Sequence, residues 1–156
     1  MKTIHTPQYL EFRWTVSRGR DTFGYNICSL WIHDRKVASC SGGGYDMKGA
    51  SLASWMMDTF QDQLRKLPAN YGSGDKNKGF YGLSFYNAKT KKRQARYSKN
   101  VERASLDGAC GFESMTRILN AIGYGLRTIS YKTNTQIYEL YRVSKKRQRE
   151  VRERGY

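Results

Sequence analysis

The chain has 156 residues and a mass of 18.1 kDa, and its 28 Lys and Arg against 13 Asp and Glu give a formal charge of +15 and a pI near 9.9. Its length fits one domain that can bury a core without disulfide staples, three cysteines are an odd count for a secreted framework, and no run is apolar enough to span a bilayer. These numbers argue against a membrane or disulfide-stapled module and for a cytoplasmic protein with a polyanionic partner, nucleic acid first, because a row of phosphates rewards many cations through counterion release.

In chain order, Leu10, Phe12, Trp14 and Val16 alternate with Glu11, Arg13 and Thr15, the period-two pattern of a half-buried strand. "SRGRDTFG" (17–24) turns the chain and offers Arg18 and Arg20 as phosphate contacts. "YNICSLWIH" (25–33) reads as a second strand, and "KVASC" (36–40) as a third after a turn at Asp34 and Arg35. The first third is thus expected to be a small antiparallel sheet.

"GGGYDMKG" follows. Glycines let consecutive N–H groups point inward and a helix start adds positive potential, so Gly42, Gly43, Gly44, Tyr45 and Lys48 form a candidate phosphate cradle. Asp46 competes for the same donors as a natural N-cap. Leu52, Trp55, Met56, Phe60, Leu64 and Leu67 recur every three or four residues, which predicts one helix from about Met47 to Lys66, ended by Pro68. Asp58 and Asp62 stand one turn apart on it, a pairing that helix faces carry routinely and that lacks a third carboxylate for a nuclease centre.

Residues 69–79 read as a loop and "FYGLSFYN" (80–87) as a strand. The basic turn "AKTKKRQARYSKN" (88–100), long enough to include a further strand, carries Lys89, Lys91, Lys92, Arg93, Arg96 and Lys99 and no acid. A second helix is predicted at about 110–122 on the stripe Phe112, Met115, Ile118, Leu119 and Ile122, stopped by Gly123 and Gly125. "LRTISY" and "QIYELYRV" predict a closing hairpin. The fold class is therefore α+β, a mostly antiparallel sheet with two amphipathic helices in a single domain over residues 1–143. Residues 144–156 are a basic tail with Lys145, Lys146, Arg147 and Arg149, read either as a charged helix or as a segment that orders on a partner.

Cys28, His33, Cys40 and Cys110 match no compact zinc pattern, and neither a cofactor nor a metal is expected. "LDGACGFES" is similar to the nucleophile segment of ovarian-tumour-type deubiquitinases, a cysteine opening a helix after aspartate and glycine. Those enzymes place their histidine late, whereas His5 and His33 both precede Cys110, so Cys110 reads as a small residue at a tight helix start. Taken together, "GGGYDMKG" and "LDGACGFESMTRILNAIG" resemble small bacteriophage-encoded accessory proteins of unknown function, which implies the cytoplasm of an infected host. The sequence thus points to a non-enzymatic protein that binds DNA or RNA, or a host nucleoprotein complex, through phosphates. The alternative is a pocket for a small phosphorylated nucleotide at Gly42 to Lys48, as an anti-defence antagonist of nucleotide signalling would need.

Overall fold

The computed structural model describes residues 8–15, 27–41, 46–70, 80–94 and 101–154. Its strands are β1 (Gln8–Thr15), β2 (Ile27–Ile32), β3 (Arg35–Ser41), β4 (Ala69–Asn70), β5 (Phe80–Tyr81), β6 (Leu83–Asn87), β7 (Lys92–Gln94), β8 (Val101–Leu106), β9 (Tyr124–Tyr131) and β10 (Thr135–Arg142). Its helices are α1 (Met47–Thr59), α2 (Gln61–Leu64), α3 (Phe112–Ala121) and α4 (Lys145–Arg154), with a 3₁₀ turn at Gly108–Cys110 just before α3.

The period-two alternation of β1 buries Leu10 and Phe12 completely and leaves Tyr9 about half exposed. This strand lies at the centre of a five-stranded antiparallel sheet in the order β3-β2-β1-β10-β9, so the closing hairpin pairs back onto the start of the chain. β7, β6 and β8 form a second antiparallel sheet, and β4 and β5 make a short parallel pair in which Ala69 faces Phe80. The fold is α+β with mostly antiparallel pairing, as the sequence predicts.

α1 runs between the two sheets. Ser51 Oγ donates to Cys28 O of β2 (2.8 Å), while Met57 Sδ accepts from Leu106 N of β8 (3.3 Å). With neighbours on both sides, Gly49, Ser51, Leu52, Ala53, Trp55 and Met56 are all buried, and the helix lacks the single apolar stripe of a surface helix.

Four elements differ from the sequence expectation, the first being β4 (Ala69–Asn70), which lies in the stretch 69–79 that reads as a loop. The helix predicted over 47–66 breaks at Phe60 (φ −122°, ψ 32°) without a glycine or proline. Phe60 is fully buried, edge-on to Trp55 (5.4 Å) and against Tyr124 (5.3 Å), and the next side chain, Gln61, donates to Ala104 O and accepts from Ala104 N, both at 2.9 Å. Tertiary contacts override local periodicity there. The strand predicted over 80–87 is interrupted at Gly82 (φ +95°), whose carbonyl accepts from Asp107 N (2.7 Å). β8 was assigned to no element from sequence, because Glu102 and Arg103 mask the buried Val101, Ala104 and Leu106.

Within the segment after residue 143, Lys145–Arg154 are helical. Val151 of α4 is fully buried, and Gln148 Nε2 (3.1 Å) and Arg152 Nε (2.8 Å) both donate to Ala121 O at the C-terminal end of α3. Those donors satisfy a helix-end carbonyl that would otherwise lack a partner, and a cation belongs at that end of the macrodipole. Among the described residues, no helix is long and apolar enough to cross a membrane.

Candidate nucleic-acid interface

Lys89 and Lys91 in the turn joining β6 to β7 and Lys92 at the start of β7 are all exposed. Asn87, buried, builds that turn: its Oδ1 accepts from Lys89 N (2.9 Å) and Thr90 N (3.1 Å), and its Nδ2 donates to Gln94 Oε1 (2.9 Å). Lys91 takes φ +57° and its N–H donates to Asn87 O (2.8 Å). The backbone is thus fixed by a buried amide while the ammonium groups project into water. Arg93 follows in β7 opposite Tyr86. Arg18, Arg20, Arg96 and Lys99 lie outside the described residues.

α4 carries the second cluster. Lys145, Lys146, Arg147, Arg149 and Arg152 are exposed, and among the described residues no acid pairs with any of them, whereas Arg13, Arg65, Arg117 and Arg127 each have a carboxylate partner. Ser144 Oγ accepts from Arg147 N (3.1 Å) and caps the helix. Lys145, Gln148, Arg149 and Arg152 line an open depression of about 390 Å³.

The predicted phosphate cradle divides. Gly42, Gly43, Gly44 and Tyr45 lie outside the described residues, while Asp46 and Lys48 are engaged within the fold. Asp46 Oδ1 accepts from Gly49 N (3.1 Å) as the cap of α1, and its Oδ2 accepts from Phe112 N (2.8 Å), the first residue of α3. One carboxylate therefore supplies negative charge to two helix starts. Lys48 Nζ reaches β10, donating to Gln136 Oε1 (2.9 Å) and Tyr138 OH (3.0 Å), and it sits 4.0 Å from the centre of the Phe112 ring. Burial pushes its pKa below the usual lysine value of 10.5, with Tyr131, Asp46 and Cys28 pulling the other way.

The outer face of the five-stranded sheet holds a feature that sequence reasoning passed over. Arg13 lies over the Trp31 ring (4.1 Å) and pairs with Glu11; Arg127 lies over the Tyr141 ring (4.6 Å) and pairs with Glu139 (3.5 Å). Tyr141 in turn lies across Gly125, where a Cβ would meet its ring at 2.6 Å. The alternating Glu11 and Arg13 signalled an outward face, but the partnership of residues 13 and 31 depends on strand register, which sequence periodicity does not contain.

The remaining chemistry-bearing residues are placed as follows. Cys110 is half-buried in the 3₁₀ turn, one residue before Gly111, which caps α3. His33 is exposed in the β2–β3 turn at φ +50°. Cys28 lies opposite Cys40, and burial pushes its thiol up to about 11. Asp62 pairs with Arg65 (2.9 Å). Among the described residues no group of three His, Cys, Asp or Glu side chains could hold a metal ion. We expect Cys110→Ser to keep whatever binding the wild type shows in a titration, since no histidine follows Cys110 in the chain to act as base; loss of function with an unchanged melting curve would point to a reactive thiol.

The chain is thus a basic α+β protein with two exposed cation clusters, one on a turn and one on a helix. No family model, no curated protein and no solved structure matches it.

Proposed function

We propose that the protein binds nucleic acid, or a nucleoprotein complex, through phosphates and without catalysis. The observation that carries this reading is the row of exposed cations on α4 that no carboxylate among the described residues pairs with. Arg65 and Arg117 pair with carboxylates on their own helices; among the described residues no carboxylate pairs with these five, although Arg152 is held by Ala121 O, and together they crowd a surface that solubility alone would not require. The turn at Lys89, Lys91 and Lys92 adds a second contact. In the setting implied by the likeness to phage accessory proteins, the polyanion belongs to the infected host.

The test is a fluorescence titration with labelled oligonucleotides at several salt concentrations. The affinity should fall linearly on logarithmic axes, with a slope of about 0.7 to 0.9 per phosphate contact. A slope near zero would overturn the reading. Replacing Lys91, Lys92, Arg93 and Arg96 with alanine should weaken binding to all sequences alike and reduce the slope. The melting temperature should shift little, because charge runs of this kind rarely pack.

A further inference from the structure

The depression on α4 has a shape and a charge that a row of surface lysines lacks. At about 100° per residue, Lys145, Arg149 and Arg152 fall within about 60° of one another around the helix, while Glu150 lies about 140° from Lys145, and Glu153 about 80° from Lys145 and about 40° from Arg149. The cations therefore converge on one side and the nearer acid stays at its margin. Its floor is anchored: Val151 is fully buried, and Gln148 and Arg152 are held by Ala121 O. Arg152 spends only Nε on that bond, so its two terminal nitrogens remain as a fork. The helix also runs against the usual electrostatic rule, since its first turn holds Lys145, Lys146 and Arg147 and no acid, at the end where the macrodipole favours negative charge. Ser144 Oγ meets one donor there, Arg147 N, and a bound anion would supply the negative charge that the first turn lacks.

Resting on the nucleic-acid reading above, we propose that this depression takes a phosphate monoester, the terminal phosphate of a strand. An internal diester carries one charge and continues in both directions, so it lies along a surface. A terminal phosphate carries about −1.5 to −2 charge at neutral pH with three acceptor oxygens, and it enters a concave site end-on. Three converging cations and an amide match the second case.

The experiment uses the full chain and one short single-stranded oligonucleotide prepared with a 5′-phosphate, with a 3′-phosphate and with hydroxyls at both ends. At about 0.1 M salt, at least one phosphorylated form should bind roughly tenfold more tightly than the hydroxyl form, the worth of one added charge-assisted hydrogen bond. Arg149→Ala should bring that ratio close to one, and Arg149→Lys should restore part of it. Arg149 is the residue to change because, unlike Arg152, it caps nothing in the fold. Equal affinity for all three strands, still steeply salt-dependent, overturns the terminal-phosphate site and leaves nucleic-acid binding standing. No binding to any strand overturns both. A nucleoside 5′-monophosphate that competes at the same concentration as the phosphorylated strand would make the site a nucleotide pocket and overturn the strand end as its ligand.

Discussion

Gly108→Val should leave no cooperative unfolding transition, and Gly108→Ala should cost about 3 kcal/mol or more. A Cβ at Gly108 would stand 2.4 Å from Ala50 Cα, 2.9 Å from its Cβ and 3.0 Å from its N; a Cβ at Gly49 would stand 2.6 Å from Phe112 N and 2.7 Å from Gly111 C. α1 therefore crosses the 3₁₀ turn and the start of α3 backbone against backbone. A flexible side chain could swing aside, but here the opposing atoms are main chain, and Asp46 ties the two helix starts together from a third side. Overpacking a core typically costs about 1–3 kcal/mol and more where nothing can yield, against a total stability of about 5–15 kcal/mol for a domain. Urea unfolding followed by circular dichroism measures it, and a wild-type midpoint for Gly108→Ala would mean that the crossing can open. Asp46→Ala should be milder, about 1–2 kcal/mol, for the cap and the bond to Phe112.

What the sequence made legible follows from range. The alternation of β1 and the three-and-four spacing of α1 and α3 are local, and they place β1, α3 and the start of α1 within a few residues. The break at Phe60 was not legible, because its cause lies in Tyr124 and in Ala104, which binds the Gln61 amide from 43 residues away. α4 could be written only as one of two alternatives, since a single apolar residue, Val151, docks an otherwise charged segment. The exposed cations of the proposed interface were legible because charge runs stay solvated, whereas the depression needs Ala121 O to hold Gln148 and Arg152 in place. Gly49 and Gly108 bring α1 onto the 3₁₀ turn and α3 by lacking side chains, yet each is unremarkable in its own stretch of sequence. Asp46 as a cap was readable; its second bond, 66 residues away, was not.

Lys48 separates a fold role from an anion site, and the expected result is that Lys48→Ala loses about 1–3 kcal/mol at pH 7 while leaving phosphate affinity unchanged. Its ammonium donates to Gln136 Oε1 and Tyr138 OH and lies on the Phe112 ring, so removing it strips a charged donor from a largely buried acceptor and leaves a gap between α1 and β10. Gln136 Oε1 keeps the Tyr138 hydroxyl (3.1 Å), which holds the loss within that range. The pH dependence supplies a second readout. Because burial lowers the pKa of Lys48, the folded protein gives up that proton before the unfolded chain does; between the folded pKa and 10.5 the unfolded chain binds more protons, and stability from this group rises with pH. Tyr138 opposes it only further up: burial raises its pKa above 10.0, with Tyr131 and Asp46 adding to the rise, so its contribution is present below 10.0 and falls as pH climbs beyond. Lys48→Met keeps the stem and removes the titration. Urea unfolding at about pH 7, 8.5 and 10 should therefore show the stability difference between wild type and Lys48→Met growing in favour of wild type as pH rises. A difference independent of pH, together with weaker phosphate binding by Lys48→Ala and no loss of stability, would return Lys48 to the phosphate cradle, because an ammonium waiting for an anion in water has neither a shifted pKa nor a structural contact to lose.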